Sequence, residues 1–143
     1  SALCIAEGLQ NDGVLYTIDI NKELATFAQQ YFNKSSYKNL IKMMVGNALE
    51  IIPKLNFNWD LVFIDADKEN YSNYFDSVIE RLNKGGMIIA DNVLWSGKVT
   101  RPTSKKDIET KSLKIFNEKV HADSRVSNVL LPVRDGMMIM IKK

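Results

Sequence analysis

Apolar positions along this chain follow two rhythms. Short runs rich in β-branched and aromatic residues recur at 14–18, 41–45, 61–64, 87–90, 126–131 and 137–141, and each predicts a strand. Between them lie longer stretches with apolar residues at spacings of three and four, which predict helices. Residues 22–32 carry Leu24, Phe27, Ala28 and Tyr31 on one face, predicted to lie on the sheet, with Asn21 as the cap. Residues 70–82 carry Tyr74, Phe75, Val78, Ile79 and Leu82, and residues 105–121 carry Leu113, Phe116 and Val120. Ala2 to Glu7 is helical in character, with Cys4 packed inside it and Gly8 as its C-cap. A short helix spans 48–55, and Pro53 gives it an early or tight end. Asn11-Asp12-Gly13 and Asn83-Lys84-Gly85-Gly86 read as turns, 93–104 as a loop, and Arg134-Asp135-Gly136 as the turn of a hairpin. Alternating strands and helices closed by an antiparallel hairpin make an α/β fold of one domain over 1–143.

The strand ends carry the chemistry. Leu61 to Ile64 is unbroken and apolar, as in a strand buried on both faces, and it stops at Asp65, Asp67 and Lys68. Met87 to Ala90 stops at Asp91-Asn92 in the same way. Ligands of open α/β sheets sit outside the carboxyl ends of the strands. If these two strands are neighbours, Asp65, Asp91 and Asn92 meet at one rim. Oxygen donors without Cys or His suit a hard cation such as Mg²⁺ or Ca²⁺. The plainer alternative is that Asp91-Asn92 only turns the chain.

Other candidates have two readings each. Asp19 ends a strand before a helix, where an acid either accepts from vicinal ribose hydroxyls or interacts with the helix dipole. Gly46-Asn47-Ala48 offers backbone donors and a small side chain beside a flat ring, or is an ordinary turn. Asp67 could meet an amino or sulfonium charge, or be a solvated loop acid. Lys68 could steady an oxyanion, accept a proton if a metal depressed its pKa, or be a solvated lysine with a covered stem. Trp95 belongs to a lid or packs as a lone aromatic. His121, the only histidine, reads as structural.

Composition adds limits. The 143 residues are enough for one core, and 45% apolar with 25% charged is ordinary for a globular protein. A net charge of +2 gives no electrostatic case for nucleic acid or a membrane as partner. A single cysteine excludes a disulfide framework and fits the cytoplasm. No apolar run approaches the roughly 20 residues of a membrane span. Residues 1–8 read as the latter part of a helix without an initiator methionine, so the sequence is expected to begin inside a longer protein.

Two long motifs then resemble one family. Phe63-Ile64-Asp65-Ala66-Asp67-Lys68 with Asn70-Tyr71, and Gly85-Gly86 to Asp91-Asn92-Val93-Leu94-Trp95 with Gly97, resemble the cation-dependent O-methyltransferases that use S-adenosylmethionine, the group of caffeoyl-CoA and catechol O-methyltransferases. Tyr16-Thr17-Ile18-Asp19 and the Leu131-Pro132 to Asp135-Gly136 ending extend the resemblance over essentially the whole chain. It implies a Rossmann-like class I methyltransferase sheet, mostly parallel with a C-terminal antiparallel hairpin, its first strand and glycine-rich loop lying before Ser1. It implies Asp65, Asp91 and Asn92 as metal ligands, for Mg²⁺ first and Ca²⁺ or Mn²⁺ as alternatives. Asp19 is implied at the ribose, Ala48 beside the adenine, Ser1 at the cofactor carboxylate and Asp67 near its methionine portion, with Asp65 also implied among the cofactor-binding residues. Lys68 matches the catalytic lysine of the catechol branch and Trp95 an aromatic of the acceptor pocket. The implied partner is a small acceptor with vicinal oxygens, and the implied full-length assembly is a homodimer. A Mg²⁺-dependent phospho-acceptor domain and a non-catalytic or truncated binding module are the rival readings. The first needs further acids on a first strand that is not visible in this sequence. The intact Asp65, Lys68, Asp91 and Asn92 argue against the second.

Overall fold

In the computed structural model, residues 1–10 and 12–143 are described. The turn expected at Asn11-Asp12-Gly13 therefore lies partly outside the described residues. Contacts divide the chain into two compact units, Ser1–Lys54 and Leu55–Lys143.

The first unit holds α1 (Ala2–Glu7), β1 (Leu15–Asp19), α2 (Lys22–Lys34), β2 (Ile41–Val45) and α3 (Ala48–Ile51). β1 and β2 pair in parallel with Asp19 opposite Val45. Asn21 caps α2, its Oδ1 accepting from the amides of Glu23 and Leu24 at 2.9 and 3.2 Å. The short helix at 48 tightens into a 3₁₀ turn at Ile52–Lys54, where Pro53 cannot donate to a longer α-helix. Two expectations need correction. The buried residues of α2 are Ala25 and Phe32, whereas Leu24, Phe27 and Tyr31 are half or more exposed, at 56, 59 and 50%. The core of this unit instead gathers Ala6, Phe32 and Ile41, with Leu3, Leu15 and Ala28 against them. Cys4 is exposed and is not a packing residue of α1; Ala6 fills that role.

The second unit holds β3 (Trp59–Ile64), α4 (Tyr71–Ile79), β4 (Leu82–Asp91), α5 (Ile108–Ala122), β5 (Val126–Leu131) and β6 (Met137–Lys142). The sheet order is β3-β4-β6-β5. β3 and β4 run parallel, and β6 is antiparallel to both β4 and β5, so the expected closing hairpin is present. Tyr71, Phe75, Ile79, Leu82, Ile88, Leu113, Phe116, Val120 and Met140 are almost fully buried, so the core face expected of 70–82 and of 105–121 is the observed one.

Here too the boundaries differ. The expected 70–82 helix opens with a 3₁₀ turn at Lys68–Asn70 and ends at Ile79, while Leu82 begins β4. The expected turn at 83–86 is an irregularity inside that strand. Trp59 pairs with Leu82 and Leu61 with Met87, so the extra residues bulge out, with Gly85 at φ 78°. α5 starts at Ile108 rather than 105, capped by Asp107. β3 is not buried on both faces. It is the edge of its sheet, and Leu61 is 44% exposed. No helix among the described residues is long and apolar enough to cross a membrane.

Candidate functional site

Parallel pairing sets the site of the second unit. Ile64 of β3 lies opposite Ala90 of β4, so the next residues, Asp65 and Asp91, leave neighbouring strands at the same level. Lys68 follows on the 3₁₀ turn and bends back over this rim. Its Nζ lies 3.6 Å from Asp65 Oδ1 and donates to Asn92 Oδ1 at 3.3 Å. It also donates to the Tyr71 hydroxyl, which donates in turn to the Asp91 carbonyl at 2.9 Å. Lys68 is buried at 6% exposure, between the rings of Tyr71 at 4.5 Å and Trp95 at 5.6 Å. A solvated lysine with only its stem covered is not what the structure has. Burial, with the Asp65 charge next, pushes the Tyr71 phenol above its usual range.

The oxygen set fits a hard cation. Asp65, Asp91 and Asn92 supply two carboxylates and an amide, and the Lys68 ammonium already stands as a cation between Asp65 and Asn92. Asp91 Oδ1 accepts from the Asn92 amide at 2.7 Å. Asn92 holds φ 60°, a left-handed backbone that turns its side chain back toward β3. Among the described residues there is no cluster of three His, Cys, Asp or Glu side chains suited to a metal, so any ion here relies on the Asn92 amide.

Asp67 is engaged locally. Its Oδ1 accepts from the Tyr74 hydroxyl and its Oδ2 from Asn70 Nδ2, both at 2.5 Å. It fastens the start of α4, and only its remaining lone pairs are open to a ligand. Burial and this hydrogen bond push the Tyr74 phenol above its usual range.

The loop after β4 is pinned rather than free. The amides of Val93 and Leu94 donate to the carbonyls of Gly136 and Asp135 at 3.1 and 2.9 Å, and the Ser96 amide donates to Asp135 Oδ1 at 2.5 Å. A Cβ on Gly136 would sit 2.5 Å from Leu94 Cγ, so only glycine lets the two segments close up. Trp95 (φ 49°) and Ser96 (φ 53°) are left-handed, and the Trp95 indole N–H is buried with no acceptor among the described residues. A cavity of about 660 Å³ opens here, lined by Asp91, Asn92, Ser96, Arg134 and Asp135 with the apolar Val133 and Met137.

In the first unit, Asp19 and the turn after β2 share a rim. The Gly46 amide donates to the Asp19 carbonyl at 2.9 Å, which brings Asp19 beside Gly46-Asn47-Ala48. Asp19 Oδ1 accepts from the Asn21 amide at 2.8 Å. Asn47 caps α3 through Leu49, so its side chain is occupied and Ala48 is the small residue presented there. Ser1 precedes α1 without a side-chain cap bond. A hollow of about 370 Å³ between α2 and β2 includes Ala25, Gln29 and Met43 and none of the candidate residues. His121 is exposed on α5.

A protein-family model described as O-methyltransferase matches residues 1–143. The chain belongs to this O-methyltransferase family. It is similar to caffeoyl-CoA O-methyltransferase 1 of Eucalyptus globulus, at 33% identity over 97% of this chain and 61% of that protein. It is similar in structure to the O-methyltransferase TomG from Streptomyces achromogenes in complex with SAM, with a TM-score of 0.91 and 27% identity over 97% of this chain and 66% of that one. An O-methyltransferase from Bacillus cereus in complex with SAH has a TM-score of 0.88 and 28% identity, over 96% of this chain and 67% of that one. The chain thus spans less than two thirds of the length of the curated relatives it matches, for example 64% of one from Dictyostelium discoideum.

Three features of the site were not singled out from the sequence. Tyr71 follows Lys68 by one helical turn, a spacing that could have suggested the contact. Asp135 and Gly136 belong in sequence to a hairpin turn and to the ending that resembles the family, neither of which signals a contact with the 93–97 loop, and the Ser96–Asp135 contact spans 39 residues of sequence. Arg134, at φ 53°, carries no local signal for its place at the cavity.

Proposed function

We propose that the full-length protein transfers a methyl group from S-adenosylmethionine to a hydroxyl of a small acceptor with vicinal oxygens, assisted by a divalent cation, Mg²⁺ first. The observation that carries this reading is the shared rim of β3 and β4, where Asp65 and Asn92 flank the Lys68 ammonium and Asp91 leaves β4 at the level of Asp65. Family membership and relatives crystallised with SAM and SAH support the donor. When bound, the donor supplies a sulfonium methyl and the cation makes an acceptor hydroxyl more acidic.

The chain's own residues do the rest. Asp65, Asp91 and Asn92 would hold the cation. Lys68 spends two of its three N–H groups on Tyr71 and Asn92, leaving one for Asp65 or for the acceptor oxygen as it becomes anionic. Trp95, whose ring lies beside the Lys68 ammonium, would wall the acceptor. In the first unit, Asp19 would accept from the two ribose hydroxyls through its free oxygen, and Ala48 would leave room for the adenine. Ser1 at the cofactor carboxylate and Asp67 near its methionine portion complete the assignment. Residues 1–143 acting within one methyltransferase domain, in a cytoplasmic homodimer, belong to the same proposal.

The test is methyl transfer by the full-length protein against a panel of vicinal diols, with Mg²⁺ and after chelation. Transfer to at least one diol that stops on chelation and returns with Mg²⁺ is expected. Equal transfer in both conditions would remove the metal role; none to any diol would remove the reading.

A further inference from the structure

The cavity beside the proposed metal ligands has a second end. Asp91 and Asn92 line one part of it, and Arg134 of the β5–β6 turn lines another. Its volume is about 660 Å³, and it is open to solvent. Two carboxylates share its wall and keep their charge, each holding one backbone amide: Asp91 Oδ1 accepts from the Asn92 amide, and Asp135 Oδ1 from the Ser96 amide. Arg134 is exposed and makes no ion pair or side-chain hydrogen bond among the described residues. Its backbone sits at φ 53°, where glycine or asparagine would be less strained. A long cationic side chain thus stands at a backbone position that disfavours it, in a residue that lines the cavity, with no partner for its donors among the described residues.

We propose that Arg134 selects acceptors that carry an anionic group, a carboxylate by preference, at the end of the molecule away from the reacting hydroxyls. The proposal rests on the methyl-transfer reading above. A planar guanidinium meets a carboxylate through two parallel hydrogen bonds, which adds direction to the charge. An acceptor with its diol toward Asp91 and Asn92 would present that group to Arg134. A phosphate would satisfy the same donors, so the probes separate the two.

The experiment compares kcat/KM for 3,4-dihydroxybenzoate, 3,4-dihydroxybenzamide and 3,4-dihydroxybenzylphosphonate with the full-length protein and its Arg134→Gly variant. Glycine suits the backbone at this position, and Arg134→Asn gives a second variant that tolerates the same φ. The wild type should favour an anionic acceptor over the amide. In both variants the acid-to-amide ratio should fall about 10–100-fold, the loss of a charged hydrogen-bonded contact. Raising the salt concentration should increase the KM of the acid and not that of the amide. A larger, Arg134-dependent preference for the phosphonate supports anion selection and assigns it to phosphate-bearing acceptors. An unchanged acid-to-amide ratio in both variants overturns the proposal while leaving the methyltransferase reading intact. Failure of the wild type on these three with transfer to other diols overturns the proposal alone; failure on every diol of the panel overturns both.

Discussion

Tyr71→Phe removes one oxygen from the centre of the proposed site, and the structure fixes what that oxygen does. Tyr71 has no exposed surface, and its ring packs edge-on against Phe116 with centroids 5.5 Å apart. Phenylalanine keeps that contact. The hydroxyl accepts from the Lys68 ammonium and donates to the Asp91 carbonyl, 2.9 Å away. A hydrogen bond to a charged group contributes about 1.5–3 kcal/mol and a neutral one about 0.5–1.5 kcal/mol. Part of the first is recovered, because Lys68 keeps Asn92 and can draw closer to Asp65. The expected loss is about 2–3 kcal/mol, a large share of the roughly 5–15 kcal/mol that holds a domain together. Urea denaturation of the full-length protein followed by tryptophan fluorescence measures it. In a Lys68→Met background the same substitution should cost only the neutral bond, about 1 kcal/mol. Enzymatically, Tyr71 is a positioning residue: kcat should fall while the KM for the methyl donor stays put. A loss below about 0.5 kcal/mol, equal in both backgrounds, would show that the hydroxyl is not coupled to Lys68 and would refute the reasoning.

Lys68→Met should lower kcat by about 10²-fold or more, as when a donor to a developing oxyanion is removed. Lys68→Arg should retain most of it, since arginine keeps the charge; a loss as deep as that of methionine would instead favour a proton-accepting lysine. Asp19→Ala should weaken S-adenosylmethionine binding by about 1–3 kcal/mol in calorimetry, and unchanged affinity would remove the ribose assignment. Lys142 donates to the carbonyls of Ile79, Glu80 and Leu82 at 2.8, 3.1 and 2.8 Å, closing the C-terminal end of α4. Lys142→Met should therefore destabilise by about 1.5–3 kcal/mol, read as a lowered urea midpoint. Tyr74 titrates above its ordinary value in the fold, so its contribution is intact below the unfolded value near 10.0 and is lost as pH rises past it toward the folded one. Stability should fall on the alkaline side, and Tyr74→Phe should flatten that limb; an identical limb in the variant would assign it to other groups.

The order of strands and helices was legible, because each element carries its own period. β2 and β5 have the expected ends. Where the sequence misled, a local pattern fitted two structures equally well. On α2, Leu24, Phe27, Ala28 and Tyr31 form one stripe, and Ala25, Ala28 and Phe32 form another one position along. The bulkier stripe looks like the core face, yet Ala25 and Phe32 are the buried residues. Small residues on the inner stripe let the helix lie close to the sheet, and no periodicity argument reveals that preference. At the end of α4, Leu82 continues the spacing of Val78 and Ile79, so the helical pattern runs on past the helix. Leu82 is buried either way, at 2% exposure, but as the first residue of β4. Leu61 belongs to an apolar run that reads as fully buried, and only the strand order shows it to be on an edge.

The candidate site was legible to the extent that backbone direction decides it. Parallel strands present their carboxyl ends together, so two strands ending in Asp65 and in Asp91-Asn92 need only be neighbours to bring those groups to one rim. What shapes the rim is long-range. The 93–97 stretch reads in sequence as part of a loop, with Trp95 in a lid, yet Asp135 and Gly136 hold it from a different strand connection. This attachment also explains the strained backbone. Asn92, Trp95 and Ser96 adopt left-handed conformations that isolated residues of these kinds seldom keep. The hydrogen bonds to Asp135 and Gly136 compensate that strain, and in return Asn92 points at Lys68 and Trp95 lies against it. Loosening the β5–β6 turn would therefore act on the site through Asn92 and Trp95 without touching Asp65 or Lys68, which separates positioning by the hairpin from the chemistry of the rim.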